Sequence, residues 1–280
     1  EKTHANLATP WVIETDAFIL KSTATRKVAI EMAERLESIR ALCFRQYLEF
    51  FLRGSPKRGG QLLFSQVGPQ KAQKMVVHYF GKKDDFQATI MKEVKGRGQD
   101  ILLNSAGFYD AALHTSFFYH DQKWGPFQVE VMQHEVTHQI LGEFSHSYAP
   151  QTWLTEGVAV SLEAAEPDNH GKLAVPAGLK NPAVAEAARL LKEGALPAVI
   201  EIMGLTYHMF HQEPGRRANY DISGAICRCQ LEMDDGIYAA DFLEYLFDSY
   251  HGAKTNLAEY IGMDMDAFNK RFHDYLQEKQ

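Results

Sequence analysis

The hydrophobic rhythm of the chain changes near its midpoint. Up to about residue 120, short apolar or alternating runs are separated by turn residues. Beyond Gly125, apolar residues recur at helical spacing in nearly every segment. In the first part, Trp11-Val-Ile-Glu14 and Ala17-Phe-Ile-Leu20 flank Thr15-Asp16 and predict a hairpin. Val28, Met32, Leu36, Ile39 and Cys43 predict one long helix over 25–52, ended by the loop Arg53-Gly-Ser-Pro-Lys-Arg-Gly-Gly60. Strands are expected at 74–80, 101–103 and 114–119, and Asp84 is placed to cap a helix between the first two. The second part predicts helices over 127–141, 152–165, 183–193, 220–233, 237–250 and 266–278. Two polar connections, 166–182 and 204–219, interrupt them. Connections of that length inside a compact domain are often functional.

Composition narrows the class. Of 280 residues, 45% are hydrophobic and 23% charged, and aromatics are plentiful, so a sizeable ordered core is expected. The net charge is −7 and no dense Lys/Arg block offsets it, which argues against a nucleic-acid partner. No run approaches the ~18 apolar residues of a membrane span. Cys43, Cys227 and Cys229 are an odd set that cannot close into disulfides, and the last two point in different directions from a helix. They read as packing residues. A start at Glu1 fits either a trimmed chain or an exported form, periplasmic or extracellular, whose signal peptide has been removed.

Candidate chemistry sits at His134-Glu135-Val136-Thr137-His138. Positions four apart share one helix face, so His134 and His138 can offer two imidazole nitrogens to one ion. Glu135 is rotated by about 100° from His134. It is poorly placed as a ligand but can reach a water on the ion. Val129, Met132, Val136 and Ile140 supply an apolar stripe, and Gly142 is expected to end the helix. A catalytic zinc takes three protein ligands and keeps one position open. Trp153-Leu-Thr-Glu156-Gly-Val-Ala159 supplies the third, Glu156, after a turn marked by Gly142 and Pro150. Gly157 beside it permits a close helix–helix approach.

The run from His134 to His138, followed by Glu156-Gly-Val-Ala159, resembles the gluzincin metallopeptidases of the peptidase-MA-like superfamily. Gly107-Phe-Tyr-Asp110, Trp153 to Ala159 and Tyr220-Asp-Ile-Ser-Gly-Ala225 further resemble bacterial metallopeptidase-like proteins known only as a domain of unknown function. The resemblance implies a zincin-like α+β fold. A mixed sheet-and-helix lobe (1–141) would pack on the active-site helix. A mainly helical lobe (142–280) would carry the third ligand, and 1–280 would form a single catalytic unit. It also implies a Tyr or His further along that assists the zinc. Two positions depart from the family. Val160 stands where many gluzincins place an Asp four residues after the ligand Glu. The segment Asn104 to Tyr109 lacks the Gly-x-Met-Glu-Asn motif of gluzincin aminopeptidases.

The expected activity is therefore that of a zinc endopeptidase with one zinc per chain and a peptide or protein substrate. Glu135 is expected to take the proton of the attacking water. Tyr220 is the first choice for the oxyanion donor, with Tyr207, His208 and His211 as alternatives. Phe108-Tyr109-Asp110 is expected either as an edge strand that pairs with an extended substrate or as packing in the sheet lobe. His170 reads as a solvated loop residue. Two other functions compete: a zincin-fold binding protein or pseudo-enzyme with a structural zinc, and a zinc hydrolase of a non-peptide bond.

Overall fold

The computed structural model describes residues 2–6, 8–53, 74–94, 102–103, 105–121, 126–145 and 150–278. The loop expected at 54–60 lies outside them. The chain divides into two compact units, Glu1–Arg45 with Leu63–Glu143 and Gln46–Leu62 with Phe144–Gln280. No described helix is long and apolar enough to cross a membrane.

The first unit holds a five-stranded mixed sheet. Strand β1 (Trp11–Glu14) pairs antiparallel with β2 (Phe18–Ser22), the expected hairpin, and β2 runs parallel to β3 (Met75–Phe80). Strand β5 (Thr115–Tyr119) lies parallel to β3 and antiparallel to β4 (Gly107–Asp110), which forms the sheet edge. β-Branched and aromatic residues fill β3 and β5, as suits a pleated surface buried on both sides. The expected strand at 101–103 is not found: Leu102 and Leu103 form a helical turn, and Ile101 lies outside the described residues. Ser105 explains it. Its N–H and its hydroxyl both donate to the Leu102 carbonyl, at 3.1 and 2.8 Å, which closes a turn where a strand would need that carbonyl for its ladder.

Three helices belong to this unit. Helix α1 (Arg26–Gln46) buries Ala29, Ala33, Leu36, Ile39, Leu42 and Cys43, so its seam begins one residue later than Val28 and Met32 suggest. It also stops short of residue 52. Tyr47 breaks it by turning inward, where its hydroxyl meets Ser161 Oγ at 2.8 Å. Helix α2 (Lys83–Glu93) presses Phe86 and Ile90 into a cluster with Phe80, Phe108, Phe117 and Tyr119. Asp84 does not cap it. The N-cap is Lys82, and Asp84 sits inside the first turn, where a carboxylate still favours the helix dipole. Helix α3 (Pro126–Ser145) buries Met132, Val136 and Ile140 and runs through Gly142. That glycine makes room instead of ending the helix: a Cβ there would meet the Tyr109 ring at 3.5 Å.

The second unit is helical. After the short helix Leu48–Arg53 come α4 (Thr152–Glu163), α5 (Pro182–Lys192), α6 (Arg216–Glu232), α7 (Ala239–Tyr250) and α8 (Met265–Glu278). Helix α6 is the centre, with every residue from Asp221 to Gln230 buried. A helix apolar on one stripe alone could not be enclosed like this; α6 also buries Arg228, which is paired with Glu232. Its contact with α4 is close. A Cβ on Gly157 would lie 2.6 Å from the Ser223 carbonyl oxygen and 2.9 Å from Cys227 Sγ. Val160 packs over Gly224 from the same side, an apolar helix contact. Cys227 and Cys229 are buried free thiols, as packing residues should be.

Helix α6 begins at Arg216, not Tyr220, so Tyr220 belongs to its second turn. Helix α7 starts two residues late because Asp234, Asp235 and Gly236 all adopt positive φ, which a helix cannot contain. The polar connections carry structure of their own. A two-stranded ribbon, Glu166–Pro167 with Leu173–Ala174, occupies the first, and the short helix Tyr207–Phe210 the second. Short helices Val199–Met203 and Leu257–Ile261 have no clear signal in the sequence.

Candidate metal centre

Helix α3 brings His134 and His138 together as the four-residue spacing requires. Their Nε2 atoms lie 2.9 Å apart, with ring centroids at 4.6 Å and planes nearly perpendicular. Two nitrogens about 2.0–2.1 Å from one ion at a tetrahedral angle sit about 3.3 Å from each other, so the two Nε2 atoms are close enough to reach one ion. His134 is 8% exposed and His138 is half-buried. The residues just before each imidazole are tied to α1. The Arg35 guanidinium donates to Gln133 Oε1, and the Thr137 hydroxyl, bonded back to the Gln133 carbonyl at 2.7 Å, lies 3.8 Å from Cys43 Sγ. Burial raises the Cys43 thiol to about 12.

Glu135 is one residue round α3 from His134. Its Oε2 accepts the backbone N–H of Tyr109 at 3.0 Å. Strand β4, which carries Tyr109, is the sheet edge, and Phe108 is buried in the aromatic cluster. The Phe108–Asp110 run is thus a sheet-edge strand among the described residues, with Phe108 as the expected packed aromatic. The same helix face carries Gln139 and Glu143, and both also bond the β4–β5 hairpin.

Glu156 sits half-buried on α4 beside Gly157. In the second unit the Glu156 charge acts on His211 and on the buried Tyr250. Burial lowers the His211 pKa, the Glu156 carboxylate partly offsets this, and Arg216 adds to it. The Tyr220 hydroxyl lies 3.1 Å from His211 Nδ1. Asn219 Nδ2 donates to the Phe210 carbonyl at 2.9 Å and so ties the start of α6 to the short helix that precedes His211. Tyr207 is 72% exposed, with its ring tilted against His211 at 4.3 Å, and His208 is exposed on the same short helix. Of the four donor candidates, Tyr220 and His211 are therefore joined, and the other two face outward. His170 is exposed in its loop, as expected.

Among the described residues, the side chains grouped so that they could hold a metal ion are His134, His138 and Glu156. The chain matches no family model and no curated protein. The site must be read from its own donors. Two imidazoles and one carboxylate are a borderline set that suits zinc and leaves a fourth position open. The sequence also missed three members: Gln139 and Glu143, at i+4 and i+8 from Glu135, and Asn219. Helical spacing alone could have flagged the first two as sharing the Glu135 face.

Proposed function

We propose that the chain is a zinc-dependent peptidase of gluzincin type with a zincin-like fold, acting on peptide or protein substrates as an endopeptidase. His134, His138 and Glu156 hold one zinc ion. The observation that carries this reading is the closeness of two imidazole nitrogens on one helix while the neighbouring Glu135 is held by an edge-strand amide. When bound, zinc supplies Lewis-acid polarisation of a carbonyl and brings the pKa of a water to about 7.

The remaining work falls to the chain. Glu135 takes the proton of the attacking water and passes it to the leaving nitrogen. Tyr220, hydrogen-bonded with His211, donates to the oxygen that gains charge in the transition state. Strand β4, the sheet edge among the described residues, is where an extended substrate backbone would lie, beside the Tyr109 N–H that holds Glu135.

Digestion of a peptide library by the purified chain, with and without a chelator, tests the reading. Cleavage inside peptides that stops on chelation and returns with zinc is expected. Intact peptides in a preparation that holds one zinc per chain would turn the assignment to a structural zinc or a non-peptide substrate.

A further inference from the structure

Three acceptor-bearing side chains line one face of α3 at successive turns: Glu135, Gln139 and Glu143. Each bonds the β4–β5 hairpin. Glu135 Oε2 accepts the Tyr109 N–H at 3.0 Å. Buried Gln139 accepts the Ser116 hydroxyl at 2.8 Å, and its amide donates to the carbonyls of Val76 and His114 at 3.1 and 3.3 Å. Glu143 Oε1 accepts the Tyr109 hydroxyl at 2.9 Å and meets His114 Nδ1 at 2.8 Å. Tyr109 is therefore held at both ends by α3, with its backbone on Glu135, its hydroxyl on Glu143 and its ring across Gly142.

We propose that Glu143, acting through Tyr109, is a positioning residue for Glu135: it fixes the edge strand so that one backbone N–H holds the carboxylate in its working rotamer. This rests on the reading of Glu135 as the base. The physical reason is the freedom of a glutamate. Its three torsions admit many rotamers, and a general base helps only from within hydrogen-bond reach of the proton it takes. A donor on a strand can restrict it only if that strand cannot slide. Among the described residues Tyr109 is at the sheet edge, bonded to one neighbouring strand, so its position along α3 needs a second anchor. Glu143 supplies it. Burial and the Glu143 charge both hold the Tyr109 hydroxyl well above its ordinary pKa, so it remains a donor.

The test uses Tyr109→Phe, Glu143→Leu and Glu143→Gln in the full chain. In the zinc-free protein, the Tyr109 amide is followed by NMR shift and hydrogen exchange, with Glu135→Ala marking the shift that loss of the carboxylate produces. In the zinc-loaded protein, kcat, KM and zinc content are measured. Tyr109→Phe and Glu143→Leu are expected to move the amide toward the Glu135→Ala position and to speed its exchange about tenfold, the scale of one hydrogen bond. They should lower kcat about tenfold with KM within about twofold and zinc unchanged. Glu143→Gln keeps an acceptor for the Tyr109 hydroxyl and should restore most of both. An unmoved amide in Tyr109→Phe and Glu143→Leu would overturn the proposal, and so would a moved amide with wild-type kcat. A wild-type chain that cleaves nothing would remove the peptidase reading instead, and the amide would still decide whether Glu143 governs Glu135.

Discussion

Glu135 and Tyr220 are assigned complementary tasks, yet the protein anchors them in different ways. Glu135 stands on a helix whose same face makes polar bonds to a sheet hairpin at three successive turns. Tyr220 stands on a helix that is buried from Asp221 to Gln230 but only half-buried over 218–220, and its hydroxyl bonds to His211, a residue following a short helix in a long connection. One side chain is set by regular structure. The other is set by a loop partner. Glu135 should therefore be rigid before any substrate arrives, whereas Tyr220 has the surroundings of a group that can adjust.

The largest effect should come from the rigid side. Glu135→Gln keeps shape and an acceptor but cannot carry the proton. It should retain one zinc per chain while kcat falls by ~10²–10⁴-fold. Zinc content and peptide turnover on the same sample check this, and loss of the metal would mean that Glu135 is a ligand. Tyr220→Phe should cost somewhat less, roughly 10²-fold in kcat with a smaller change in KM, the scale of one oxyanion donor. If the loop partner matters as argued, His211→Gln should reproduce part of that loss. An unchanged kcat with a lowered melting temperature would recast Tyr220 as packing and erase the contrast between the two sides.

Stability offers a third comparison. Gly157→Ala places a methyl group against the backbone of Ser223, which cannot rotate away, so the second unit should lose about 2–3 kcal/mol in urea unfolding. A neutral result would show that α4 and α6 can separate. The smallest effect belongs to the sheet. Burial, with Lys21 as a lesser cause, lowers His78 to about 4. Unfolded, it would titrate near 6.5, so the unfolded chain binds the proton first and stability is lost as pH falls from about 6.5 toward 4. His78→Gln should flatten that loss by about 1–2 kcal/mol between pH 7 and 4.5, allowing for partial exposure. An identical pH dependence in the variant would mean that His78 is solvated.

The same contrast governs what the sequence could reveal. His134, Glu135 and His138 are legible because one helix fixes their relations, and helical periodicity needs no tertiary information. The helices of the second unit are legible for that reason too. The β1–β2 hairpin is marked by its turn. Strand β4 is harder: Leu102 and Leu103 look more like a strand than Gly107–Asp110, and only the Ser105 turn and the pairing with β5 decide otherwise. Gly142 reads as a helix stop because a stop is what glycine usually signals, and the ring of Tyr109 that explains it comes from 33 positions earlier in the chain. The links from Glu143 to Tyr109 and from Tyr220 to His211 are side-chain meetings across elements, which spacing does not encode.

The central claim is that His134, His138 and Glu156 together hold one zinc, and X-ray absorption at the zinc edge of the purified chain tests it most directly. The account predicts one zinc in a shell of nitrogen and oxygen at about 2.0–2.2 Å with the outer-shell signature of two imidazoles, reduced to one in His138→Ala if any metal remains. A sulfur shell at about 2.3 Å, which would call on Cys43, Cys227 or Cys229, or a spectrum unchanged by His138→Ala, would contradict it.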